Sequence, residues 1–61
     1  MNTKKLIECR EAADLSQTAV AEKLQCTSSA ISQYESGKRE PSFEVLVKLA
    51  EIYGCTVNDF V

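Results

Sequence analysis

The sequence predicts an all-α fold, and three observations carry the prediction. Apolar residues recur at spacings of three and four through nearly the whole chain. Nothing alternates with the two-residue rhythm of a half-buried strand. Ser16, Thr27, Ser42 and Thr56 stand where helices should begin, and Gly37 and Gly54 where they should end. The expected architecture is five short helices in one compact domain over residues 1–61, the second and third joined by a tight turn.

The first helix is expected over Thr3–Ala13. Leu6, Ile7, Arg10 and Ala13 form its inward stripe, while Lys4, Lys5, Glu8 and Glu11 face water. Asp14-Leu15-Ser16 breaks the periodicity, and Ser16 is placed to cap a second helix over Gln17–Leu24. Val20, Ala21 and Leu24 make the buried stripe there, with Ala21 small enough to admit a neighbouring helix. Gln25 and Cys26 form the turn, where glycine would be the easier residue if a positive φ is needed.

Thr27 caps a third helix over Ser28–Glu35. At about 100° per residue, Ala30, Ile31 and Tyr34 fall on one side, and Ser28, Ser29, Ser32 and Gln33 share an arc of about 140° on the other. Gly37 stops this helix, and Pro41 keeps it from running into the next. Ser42 caps a fourth helix over Phe43–Tyr53, whose Phe43, Leu46, Val47, Leu49, Ala50 and Tyr53 supply the largest apolar surface. Gly54 ends it. Thr56-Val57-Asn58-Asp59 then resembles a capping box opening a last short helix that carries Val57 and Phe60.

Length and composition bound the function. A chain of 61 residues holds one core and buries only about 60% of its unfolded surface, so its stability should be modest. Its 44% hydrophobic and 26% charged residues are ordinary for a soluble domain. No apolar stretch approaches a membrane span and no secretory signal opens the chain, which points to a soluble intracellular protein. Cys9, Cys26 and Cys55 are odd in number and widely spaced, and no histidine or C-x-x-C accompanies them. They read as free thiols rather than a disulfide framework or a metal site, with Cys26 and Cys55 expected to fill the core. The net charge of −2 and pI near 4.9 argue against a dedicated polyanion binder. Residues 27 to 41 balance Lys38 and Arg39 against Glu35 and Glu40, so attraction to phosphate should be limited.

The run from Ser16 to Ser42, SQTAVAEKLQCTSSAISQYESGKREPS, is the most telling. Its second helix offers one apolar side for packing and one side of small polar residues able to meet DNA base edges. With Leu46, Ala50 and Gly54 beyond it, the joint spacing of Leu15-Ser16-Gln17, Ala21, Leu24, Ile31-Ser32, Glu35, Gly37, Arg39 and Pro41-Ser42 resembles the phage repressor and Cro-like helix-turn-helix family, often called XRE-type. The resemblance runs from about Leu6 to Val61, with Gln25 where the family usually has glycine and Ala19 where it often has an acidic residue.

That resemblance implies a five-helix, lambda-repressor-like DNA-binding domain, prokaryotic or phage-encoded and cytoplasmic. It implies that Thr27, Ser28, Ser29 and Gln33 face bases or the adjacent phosphates, with Ser32 between them able to join. Gln33 is the strongest reader, because its carboxamide can pair bidentately with adenine. Each serine is equally well read as a surface kept small for close approach. Ser16 and Gln17, at the start of the second helix, meet a phosphate with a helix dipole and free amides. Ser36, Lys38 and Arg39 match the family's backbone-gripping loop, a solvated loop being the bland alternative. Arg10 and Glu35 match a partly buried ion pair that ties the first helix to the third.

The expected function is therefore a sequence-specific regulator, a repressor above all, acting on a double-stranded DNA operator. One module reads few base pairs, so a homodimer is expected, with recognition helices about 34 Å apart. Phe60, Val61 and the exposed side of the fourth helix are candidate dimer surfaces, unless they merely complete the monomer core. The competing reading is a protein-interaction module, an antitoxin or adaptor on the same fold. Catalysis is disfavoured by the lack of histidine, of a glycine-rich phosphate loop and of a nucleophile–base pair. No cofactor, metal or small-molecule ligand is expected.

Overall fold

The computed structural model describes residues 1–61 and contains helices and turns only. Four α-helices follow one another: α1 (Thr3–Ala12), α2 (Gln17–Leu24), α3 (Ser28–Ser36) and α4 (Phe43–Tyr53). A 3-10 helix, Val57–Phe60, closes the chain. The fifth helix expected from Thr56 onward is thus a single 3-10 turn. Its Asp59 N–H to Thr56 O and Val61 N–H to Asn58 O bonds, 3.0 and 3.4 Å, each span three residues. A segment this short cannot build an α-helical ladder. The Asp59 carboxylate nonetheless accepts from the Thr56 N–H at 3.1 Å and the Thr56 hydroxyl at 3.3 Å.

Every α-helix opens on a side-chain cap. Ser16, Thr27 and Ser42 accept from Ala19, Ala30 and Val45 N–H at 3.0, 3.2 and 3.2 Å. Asn2, which no sequence pattern had singled out, does the same for α1 through the Lys5 N–H at 3.1 Å. Caps of this kind each stabilise by about 1 kcal/mol, which matters in a domain so small.

The turn between α2 and α3 places Gln25 at φ +59, and Cys26 N–H closes back onto Ala21 O at 2.9 Å. This is the left-handed C-terminal cap that favours glycine. The end of α1 repeats it with Asp14 at φ +59, where the Leu15 N–H reaches Arg10 O at 3.3 Å.

Leu6, Val20, Ile31, Leu49 and Phe60 are almost fully inaccessible and form the centre of the core, with Ala21, Ala30, Tyr34, Leu46 and Ala50 around them. α2 packs most closely on α3; α3 also touches α1, and α4 packs on α1, α2 and the 3-10 helix. Three expectations are corrected here. Phe60 completes this core, edge-on to Tyr53 with ring centroids 6.4 Å apart, and offers nothing to a dimer surface. Phe43, expected to supply core, is 70% exposed because it sits at the first turn of α4, on the rim of that helix's buried stripe. Cys26 is exposed, since it follows the α2 turn outward, whereas Cys55 packs half-buried against the core as expected. The Asn2 N–H donates to Phe60 O at 2.6 Å, tying the two ends of the domain together.

Candidate nucleic-acid interface

α3 packs closely on α1 and α2 through its apolar side, and its opposite side is open to solvent. Ser28, Ser29 and Ser32 lie exposed on that side, and Gln33 is half-buried at its edge. Ala30, Ile31 and Tyr34 are turned inward, with Ile31 at 1% exposure. None of Ser28, Ser29, Ser32 and Gln33 spends its side chain on a hydrogen bond within the chain, so all four can bond outward. α3 also runs one residue beyond the expected end, and Ser36 falls in the middle of the same polar arc. Neither surface depression, one at Lys23, Leu24, Lys48, Glu51 and Ile52, the other at Glu11, Asp14, Leu15 and Ser16, includes α3. The face is a convex ridge of polar side chains.

The residues flanking this ridge already have local bonds. Thr27 and Ser16 hold their caps, yet each hydroxyl keeps its proton for an outside acceptor. The Ser36 hydroxyl donates to Gln33 O at 3.2 Å. Lys38 and Arg39 are exposed, and the Arg39 guanidinium lies over the Tyr34 ring, 5.7 Å from its centroid.

Beneath the ridge, Arg10 and Glu35 form an ion pair with Nε to Oε2 at 2.7 Å and Nη2 to Oε1 at 3.3 Å. Arg10 Nη1 also donates to Leu15 O at 2.8 Å, and Gln17 Nε2 donates to Glu35 Oε1 at 3.0 Å. One buried carboxylate thereby joins the end of α3, the helix α1 and the first residue of α2. The hydrogen bond to Glu35 pushes the Arg10 pKa still higher, outweighing the opposing effect of burial. Gln17 was expected to give its carboxamide to phosphate; here one of its two N–H donors is held by Glu35. The network also changes the charge around the polar face of α3. Glu35 is neutralised below the surface, which leaves exposed Lys38 and Arg39 against Glu40 alone.

The helix-turn-helix family model matches residues 6–60. The chain belongs to the XRE-type helix-turn-helix family. Within the helix-turn-helix, α2 and α3 are the paired helices and Gln25 occupies the turn between them. Among relatives, the HTH-type transcriptional regulator PuuR of Escherichia coli K12 is 40% identical over 57 residues, covering 93% of this chain and 31% of its own length. The uncharacterized HTH-type transcriptional regulator YqaE of Bacillus subtilis 168 is 36% identical over 58 residues, covering 95% of this chain and 50% of its own. The chain therefore spans a third to a half of the curated relatives it matches. No solved structure matches it. No helix is long and apolar enough to cross a membrane.

Proposed function

We propose that this helix-turn-helix domain binds a double-stranded DNA operator in a sequence-specific way and represses transcription by occupying it as a homodimer in a prokaryotic cytoplasm. α3 enters the major groove. Thr27, Ser28, Ser29, Ser32 and Gln33 meet base edges and the nearest phosphates, and Ser16, Gln17, Ser36, Lys38 and Arg39 hold the flanking backbone. The observation that carries this reading is the uncovered α3 ridge, whose four small polar side chains have no partner in the chain. The regulators named among its relatives support it. So does the burial of Glu35, which removes one negative charge from the face that would meet phosphate. Val61 and the exposed Phe43 edge of α4 are the apolar surface left for a second copy.

Selecting binding sites from random DNA and reading stoichiometry from the same complexes tests the proposal. Two chains per site are expected, on half-sites about 34 Å apart; one chain per site overturns the dimer. On the selected operator Gln33→Ala should lose about 1–3 kcal/mol while binding to random duplex is unchanged. Equal loss on both would remove Gln33 from base reading. No mobility shift with any duplex at low salt would favour the protein-interaction module instead.

A further inference from the structure

Arg39 is exposed but not loose. Gly37, at φ +83, folds the chain back after α3 so that the Arg39 N–H donates to Gln33 O at 3.2 Å. The turn lays the guanidinium over the Tyr34 ring. Tyr34 is only 9% exposed and belongs to the core, so the platform beneath Arg39 is rigid. No carboxylate claims the cation: the chain's ion pairs are Lys5–Glu8 and Arg10–Glu35. Lys38 beside it is exposed and lacks any such platform.

From this the geometry points to Tyr34 as the positioning residue for a phosphate contact made by Arg39, an inference that rests on the DNA-binding reading above. A guanidinium held over the ring as a cation leaves the N–H donors on its far side free, and these lie in one plane. That plane matches two oxygens of a phosphate, which a point-charge ammonium cannot do. The ring thus holds Arg39 in a binding orientation before DNA arrives and lowers the ordering cost of the contact. The core of the domain and its grip on the backbone share one side chain.

A double-mutant cycle on a short random-sequence duplex at low salt tests this, with affinity followed as salt is raised. Arg39→Ala should weaken binding and reduce the slope of log K against log salt by about one. Tyr34→Leu should weaken binding about two- to fivefold, the worth of an exposed cation–π contact, and leave that slope in place because the charge remains. Arg39→Ala should then cost less in the Tyr34→Leu background than in the wild type, and Tyr34→Phe should restore wild-type affinity. An equal cost of Arg39→Ala in both backgrounds, with its slope change intact, overturns the positioning role alone. An unchanged slope on Arg39→Ala overturns the phosphate contact and the positioning role together. Because Tyr34→Leu opens the core, the stack is also read in the wild-type protein, where ring current should move the Arg39 Hδ resonances upfield. Random-coil Hδ shifts would overturn it whether or not the variant folds.

Discussion

Removing Glu35 should cost this domain a third or more of its stability. Its carboxylate side chain is 6% exposed and the Arg10 side chain 13%, so water screens the pair little. Glu35→Ala would leave the guanidinium buried with Leu15 O as its remaining acceptor and would release Gln17 from α3. Stranding one member of a buried pair costs about 3–5 kcal/mol. A chain of 61 residues has a total stability of about 3–9 kcal/mol at the usual density per residue. The loss is then a third of that stability at least, and at the upper end all of it. Arg10→Met should cost a similar amount, since it strands the carboxylate instead. The double variant Arg10→Met/Glu35→Ala should cost far less than the sum of the two single variants, because it leaves no uncompensated charge. Guanidinium denaturation followed by circular dichroism at 222 nm, the usual helical band, measures all four proteins. Single variants that cost under about 1 kcal/mol would mean that the pair is screened like a surface bridge. Strict additivity in the double variant would refute the coupling on which the argument stands.

Other consequences follow from the turns and the thiols. Gln25→Gly should raise stability by about 0.5–1 kcal/mol, the relief of a left-handed residue less the extra freedom of glycine in the unfolded chain. That corresponds to a melting temperature higher by about 2–8 °C, and no rise would show that the turn is unstrained. Alkaline pH should destabilise the domain. Burial, and then the hydrogen bond with Cys9, push the Cys55 thiol from 9.0 up to about 11, so between these values the folded state keeps a proton that the unfolded state has lost. Stability from this group is complete below about pH 9 and lost as pH rises toward about 11. Burial also raises the Tyr53 phenol, so Cys55→Ala should flatten the decline in urea midpoint without abolishing it. A decline of unchanged steepness in Cys55→Ala would clear Cys55 of the effect.

How much was legible in the sequence depended on how local the cause was. The starts of α2, α3 and α4 were predictable because Ser16, Thr27 and Ser42 each bond an amide three residues ahead. The strained turn at Gln25 was visible because only a few residues tolerate a left-handed φ. The two faces of α3 followed from helical arithmetic and needed no neighbour. Phe43 and Phe60 show where that reasoning stops. Both are phenylalanines on a helical period, yet one is exposed and the other buried, because exposure depends on which element packs over each.

The sequence by itself determined the four α-helices, the caps of α2, α3 and α4 and the polar arc of α3, since backbone geometry and period set these within a few residues. Only the tertiary structure decided that nothing packs over that arc, that Gln17 is drawn into the Arg10–Glu35 pair beneath it, and that Arg39 rests on Tyr34. Packing joins residues far apart in the chain, and their distance in sequence carries no record of who will be neighbours.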